Sequence, residues 1–202
     1  RERMLLADEA TASVGLRKGV ASVISHELAH QWFGDLVTMK WWDDIWLNEG
    51  FATWRAGKIV ARWKPEWGGE DENADRRSSA MGADSLASSQ PVRRPIHNQG
   101  DIQSAFDGIS YAKGGALLSM FETWMGPERF RKGVQRYMKT HAWGNATSDD
   151  FLAALAAEGA PEVATDPGTI ESTDIFISLH PRSHWTKAKS QEELVALMTE
   201  TV

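Results

Sequence analysis

Two histidines four residues apart, with a glutamate directly after the first, are the residues of this sequence best suited to chemistry. His26, Glu27 and His30 lie in the segment HELAH. Residues four apart lie one above the other on a helix face, so both imidazoles can bind one metal ion. Glu27 follows His26 by about 100° of helical rotation, which places its carboxylate beside that ion rather than on it. A carboxylate there can take a proton from a water molecule that the metal activates.

Such a metal centre needs a third protein ligand. The chain contains no cysteine, so the ligands must be His, Asp or Glu. Eighteen residues separate His30 from Glu49, a loop long enough to bring a second helix against the first. Two imidazoles, one carboxylate and an open fourth position suit Zn²⁺, and we expect one zinc ion per chain at His26, His30 and Glu49. Cobalt and manganese remain alternatives, and no residue is predicted to bind another cofactor.

The periodicity of apolar residues predicts the elements that position these side chains. A first helix, from about residue 16 to residue 33, carries HELAH and ends before Gly34. A second helix begins near Asn48, so Glu49 falls in its first turn. We expect an extended piece at residues 35–40, short helices and loops at 66–99, and helices at about 109–124, 127–141 and 149–158. The predicted fold is mainly α, with few strands.

Residues 26–54, HELAHQWFGDLVTMKWWDDIWLNEGFATW, resemble the core of the gluzincin aminopeptidases. This group contains aminopeptidase N and the leukotriene epoxide hydrolases. It uses HExxH, eighteen further residues, and then a glutamate within Asn-Glu-Gly-Phe-Ala, and the sequence matches each element. The resemblance implies zinc held by His26, His30 and Glu49, with Glu27 as the general base. It also implies that the chain forms the helical part of a thermolysin-like zincin catalytic domain.

A second segment carries the same resemblance. Residues 106–120, FDGISYAKGGALLSM, resemble the family segment whose Tyr-x-Lys-Gly contains a catalytic tyrosine. The resemblance implies that Tyr111 stabilises the oxyanion, because a phenol hydroxyl near the metal can donate a hydrogen bond to it. Taken alone, Tyr111 would be interpreted as a half-buried helical tyrosine. The implied activity is that of a zinc aminopeptidase acting on peptide substrates.

The family binds the free amino terminus of its substrate with a Gly-x-Met-Glu-Asn segment that precedes the HExxH helix. The 202 residues do not contain this segment, and Arg1-Glu2-Arg3 resembles the residues that come directly after it in the family. We expect a zincin-like catalytic core at residues 1–164 and a C-terminal segment of unknown character at 165–202. Two alternatives to an aminopeptidase remain: an endopeptidase, and a catalytically silent or incomplete zinc-binding fragment that needs a partner or the missing lobe. An exposed apolar cleft wall would favour the fragment and predict self-association.

Composition excludes some classes of partner. The formal net charge of −6 argues against a nucleic-acid partner, which requires a basic surface. No run of eighteen apolar residues is present, so no membrane span is expected. Five of the ten tryptophans fall within residues 32–54, which predicts a bulky apolar core or cleft wall there. The sequence leaves the compartment open, cytoplasmic or exported.

Overall fold

The described part of the chain is mostly helical. This computed structural model describes residues 6, 8, 10–85 and 90–159. Its helices are α1 (Val14–Ala29), α2 (Trp46–Trp63), α3 (Gly69–Asp84), α4 (Gln99–Ala105), α5 (Gly114–Met125), α6 (Pro127–His141) and α7 (Ser148–Ala156). A π-helical turn, Ile109–Lys113, precedes α5, and 3₁₀ turns cover Trp42–Asp44 and Pro65–Trp67. The mainly α prediction is confirmed, whereas the predicted boundary at residue 164 and the segment 165–202 lie outside the described residues.

Helix α1 begins where a serine caps it. The Ser13 hydroxyl accepts a hydrogen bond from the Leu16 amide at 3.2 Å, which satisfies one of the free amides of the first turn. The helix ends at Ala29, so its predicted continuation to residue 33 is wrong. Past His30 the chain turns, because the Asp35 amide donates to the His30 carbonyl at 2.9 Å and Gly34, with a φ of 139°, donates to Val37. These turns direct the chain into the first strand.

Helix α2 is the centre of the hydrophobic core. Phe51 on this helix is completely buried, its ring stacked on Phe33 at 4.2 Å and edge-on to Phe151 at 5.1 Å. The rest of the main core comes from α2, α5, α6, α7 and the first strand, and includes Val37, Trp46, Leu47, Leu118, Phe121, Phe130, Tyr137 and Leu155. Removing a fully buried phenylalanine costs about 3–5 kcal/mol of stability. The backbone that carries Glu49 is therefore held by packing on several sides.

Two short strands join distant parts of the chain. Strand β1 (Val37–Met39) pairs in parallel with β2 (Gly144–Ala146), with Thr38 opposite Asn145. Beside this sheet the buried Asp44 carboxylate accepts hydrogen bonds from the amide and hydroxyl of Ser148. The first residue of α7 is thereby fixed to the turn that leads into α2. The extended piece predicted at residues 35–40 contains β1, whereas β2 was not predicted.

Helix α3 occupies much of the region predicted as short helices and loops. Its first residue, Gly69, lies so close to α2 that a Cβ would be 2.9 Å from the Cα of Ala61. Glu72 pairs with Arg76 one turn later at 2.8 Å and with Lys18 of α1 at 2.5 Å. Ion pairs and contact with α2 stabilise a helix whose sequence has little apolar periodicity. Among the described helices, none has the length and hydropathy needed to cross a bilayer.

Candidate metal centre

Three potential metal ligands converge between α1 and α2. The Nε2 atoms of His26 and His30 lie 3.1 Å apart. The Oε2 atom of Glu49 lies 3.1 Å from the first and 3.5 Å from the second. Glu49 is buried, and the two histidines are partly buried. The sequence predicted this grouping, and the structure brings the three side chains together.

The spacing of these three atoms fits a tetrahedral cation. Zinc binds histidine nitrogen and carboxylate oxygen at about 2.0–2.2 Å, so two ligand atoms on a tetrahedral ion lie about 3.3–3.5 Å apart. The observed separations of 3.1, 3.1 and 3.5 Å lie close to this range. Two imidazoles and one carboxylate are also a donor set that zinc prefers. The side chains therefore fit the metal on both geometry and chemistry.

A backbone contact orients His30. Its Nδ1 lies 2.9 Å from the carbonyl oxygen of Phe33, which can only accept, so Nδ1 carries the proton and donates. The Nε2 lone pair is then directed at His26 and Glu49, as metal ligation requires. Gly34 lies behind the ring, where a Cβ would be 3.4 Å from Nδ1. The turn that ends α1 thus fixes both the tautomer and the orientation of this imidazole.

The electrostatics of the three groups favour an ionised carboxylate. Burial disfavours that form, but hydrogen bonds from His26 and His30, strengthened when these imidazoles are protonated, outweigh burial and lower the pKa of Glu49 to about 2. The Glu49 carboxylate in turn raises the pKa of His30. Glu49 is consequently negatively charged at neutral pH. A cation at this position would compete with the proton for the histidine nitrogens.

Contact between two glycines brings a further predicted residue to the site. A Cβ on Gly50 would lie 3.0 Å from the carbonyl carbon and the Cα of Gly114. This contact holds α2 directly against the start of α5, since only glycines allow two backbones so close. Glu49 precedes one of these glycines, and Tyr111 lies in the π-helical turn before the other. Neither glycine was predicted as a site residue.

Tyr111 lies over one of the candidate ligands. Its ring stacks on the His26 imidazole with centroids 5.7 Å apart and an angle of 15° between planes. Burial, together with the charge of the nearby Glu49 carboxylate, raises the pKa of Tyr111 to about 12. The phenol is thus protonated at neutral pH and can donate a hydrogen bond. The structure brings Tyr111 to the three ligands although α3 and α4 separate it from them along the chain.

Glu27 lies beside the ligand group with its side chain open to solvent. It is close enough for its charge to contribute to the raised pKa of both His30 and Tyr111. A charged carboxylate at the edge of the group, facing solvent, is accessible to water and to a substrate. The role of Glu27 as a general base stays a prediction.

The residues that hold the site together were not predicted from the sequence. The Phe33 carbonyl, Gly34 and the Gly50–Gly114 contact act through backbone geometry. The signal for Gly50 and Gly114 was present, because each directly follows a residue of a recognised motif. The structural role of these two glycines depends on a contact between segments more than sixty residues apart. Motif spacing alone does not predict such a contact.

Comparison with known proteins agrees with the geometry. The peptidase family M1 domain matches residues 1–170. A probable aminopeptidase 2 from Sulfurisphaera tokodaii is 49% identical over 157 residues, which cover 77% of this chain and 20% of that protein. Aminopeptidase M1-D of Oryza sativa is 46% identical over 77% of this chain and 18% of its own length. An alanine/arginine aminopeptidase of Saccharomyces cerevisiae is 45% identical over 80% of this chain and 19% of its own length.

Each of these relatives is an aminopeptidase by name, and the chain spans about a fifth of their length. The matched region includes both HELAH and the segment around Tyr111. The family match covers well over half of the chain. This chain therefore belongs to peptidase family M1.

Proposed function

We propose that this chain is the catalytic core of a zinc aminopeptidase, with His26, His30 and Glu49 as the metal ligands. The observation that carries the proposal is the triangle of ligand atoms, with edges of 3.1, 3.1 and 3.5 Å, beside a stacked tyrosine. Membership of peptidase family M1 and the aminopeptidase names of the relatives support the choice of reaction. The substrates are peptides with a free amino terminus.

The roles of the side chains follow from their positions. When bound, zinc supplies a Lewis acid that polarises the scissile carbonyl and acidifies water. Glu27, at the solvent side of the ligand group, takes the proton of the attacking water and delivers it to the leaving amine. Tyr111 keeps its proton at neutral pH and donates a hydrogen bond to the carbonyl oxygen as negative charge develops there.

The proposal is tested by hydrolysis of a free-amine aminoacyl chromogenic substrate and its N-acetylated twin, on metal-quantified protein with and without chelator. Chelator-sensitive cleavage of the free amine alone supports an aminopeptidase, whereas cleavage of both substrates indicates an endopeptidase. Glu27→Gln should retain one zinc per chain and lose about 100- to 10,000-fold in kcat, the range that general acid–base catalysis supplies. Glu66→Gln, in the 3₁₀ turn beyond α2, is the matched control and should keep full activity. Near-normal activity of Glu27→Gln would remove this residue from the mechanism.

An exposed apolar surface favours a second candidate function, that of a core completed by further polypeptide. Of the sixteen residues of α1, Ser25 and Ala29 are the buried ones. Ile24, Leu28 and Trp32 are 41%, 57% and 55% exposed. We call these three residues the α1 apolar surface. A surface of this kind marks a contact with other protein, which is either further polypeptide or a second copy of the chain.

This candidate predicts self-association when the chain is studied alone. Sedimentation velocity over a hundredfold concentration range should show a dimer or larger species that Ile24→Glu dissociates. Met81→Glu on α3, which replaces a residue that is 70% exposed, is the control and should leave association unchanged. A chain that binds one zinc, cuts neither substrate and self-associates is an incomplete core. A monomer at every concentration would exclude self-association through this surface.

A further inference from the structure

The π-helical turn that carries Tyr111 is unusual and must be held in place. The turn, Ile109–Lys113, interrupts what would otherwise be a regular start to α5. A π-turn contains one more residue per hydrogen-bonded loop than an α-turn, is rare, and occurs mostly as a single turn at functional sites. Its extra residue displaces the side chains of the turn relative to the next helix. The position of Tyr111 over His26 therefore depends on whether this turn is kept.

The beginning of the turn is held by Asp107 and Ser110. The Asp107 carboxylate accepts a hydrogen bond from the Ser110 amide at 3.1 Å and is itself bound by the Arg94 guanidinium at 2.8 Å. The Ser110 hydroxyl, which is buried, donates to the carbonyl of Ala105 at 2.6 Å. These contacts fix the residues before Tyr111 to the end of α4. The residues after Tyr111 are held separately.

The end of the turn is held by Lys113. Its ammonium group forms an ion pair with the carboxylate of Asp84, the last residue of α3. It also donates to the carbonyl oxygen of Gln90 at 3.2 Å. The Lys113 side chain is 16% exposed and the Asp84 side chain 26%, so solvent screens this pair less than it would a fully exposed one. The ion pair ties the turn to α3, an element that contributes no metal ligand.

We propose that Lys113 is a positioning residue, which holds the π-helical turn through Asp84 so that Tyr111 stays over His26. The inference rests on the proposed function only where it predicts kinetics, since the position of the ring can be measured without turnover. Without the ammonium group the turn loses its ion pair with Asp84 of α3 and its hydrogen bond to the Gln90 carbonyl. The Tyr111 ring then moves relative to the imidazole, while the three ligand side chains on α1 and α2 stay in place.

The first test observes the tyrosine directly. The chain contains two tyrosines, Tyr111 and Tyr137, so protein labelled with 3-fluorotyrosine gives two ¹⁹F NMR resonances, and Tyr111→Phe assigns them. Lys113→Ala should shift or broaden the Tyr111 resonance and leave that of buried Tyr137 unchanged. Lys113→Arg keeps the charge and should restore the position of the resonance. An unaltered Tyr111 resonance in Lys113→Ala would overturn the proposal whether or not the protein is an enzyme.

The second test is kinetic and uses a matched control. Lys113→Ala should lower kcat roughly tenfold and leave KM and zinc content unchanged. This loss is smaller than the 100- to 1,000-fold loss in kcat expected when an oxyanion donor is removed altogether. Added to Tyr111→Phe, it should lower kcat no further, because Lys113 acts through that hydroxyl. Lys18→Ala removes another ion pair to α3, Lys18–Glu72, and should leave both kcat and the Tyr111 resonance unchanged. Additive losses in the double variant, or an equal loss in Lys18→Ala, would show that the effect is general destabilisation.

Discussion

Replacing Gly50 with alanine adds a methyl group to the contact between α2 and the start of α5. The new Cβ would lie 3.0 Å from the carbonyl carbon and Cα of Gly114 and 3.3 Å from the amide nitrogen of Gly115. All three are backbone atoms, so no side chain can rotate away to make room. The two segments must therefore move apart by a few tenths of an ångström.

The size of the effect follows from two opposing contributions. Overpacking a tight contact costs about 1–3 kcal/mol of folding free energy. Alanine regains about 1 kcal/mol because it is a better helix former than glycine. The net expectation is a loss of up to ~2 kcal/mol. Because the proposed ligand Glu49 directly precedes Gly50, we also expect zinc affinity to fall about tenfold, the lower end of the effect of disturbing a ligand's support.

The assay is urea denaturation combined with competitive zinc titration. Gly19→Ala on α1 is the matched control, because that position is also helical and a Cβ there would meet nothing within 4 Å. The control should gain up to about 1 kcal/mol in stability and keep its zinc affinity. If Gly50→Ala matched Gly19→Ala in both stability and zinc affinity, the reasoning from the close backbone contact would be wrong.

Two further substitutions separate catalysis from ligand support. Tyr111→Phe should lower kcat by about 100- to 1,000-fold and leave zinc affinity unchanged, and loss of the metal would count against a purely catalytic role. Gly34→Ala would place a Cβ 3.4 Å from Nδ1 of His30 and 3.5 Å from Nδ2 of Asn48, at a backbone φ of 139°. Because His30 is a proposed ligand, zinc affinity should fall roughly tenfold. Gly126→Ala, at a φ of 82° with nothing within 4 Å, should lose stability from backbone strain and keep its zinc affinity.

The sequence predicted the grouping of the candidate ligands because the information is local. His26 and His30 are four residues apart at the end of α1, and eighteen residues separate His30 from Glu49. The three ligand atoms lie within 4.8 Å of one another. That they hold zinc stays a prediction, as do the roles of Glu27 and Tyr111. Family motifs were needed for Tyr111, since nothing near it in the sequence points to a metal.

Elements that depend on distant contacts were predicted poorly. Strand β2 contains Gly144 and Asn145, both poor strand formers, and exists because it pairs with β1. Helix α3 has few apolar residues, and its ion pair to α1 is invisible to periodicity. The extra residue of the π-helical turn changes the apolar pattern of the sequence too little for the turn to be predicted. In each case the missing information is which other segment lies alongside.

The apolar pattern of α1 correctly predicted a helix, but it does not show whether the apolar side chains are buried. Val20, Val23, Ile24 and Leu28 recur at helical spacing, which predicts a helix with an apolar face. None of the four is buried in the described structure. Periodicity shows that a helix has an apolar face, whereas burial of that face depends on which other residues pack against it. The relatives are about five times as long as the region that this chain matches.

The central claim is that His26, His30 and Glu49 together hold one zinc ion. The most direct measurement is a competitive zinc titration of the chain, of Glu49→Gln and of Glu27→Gln. We expect one tightly bound zinc in the first and third proteins, and a more than tenfold weaker affinity in Glu49→Gln, which lacks the charged ligand. Equal affinity in all three proteins would contradict the assignment of Glu49 as a ligand and, with it, the proposed metal centre.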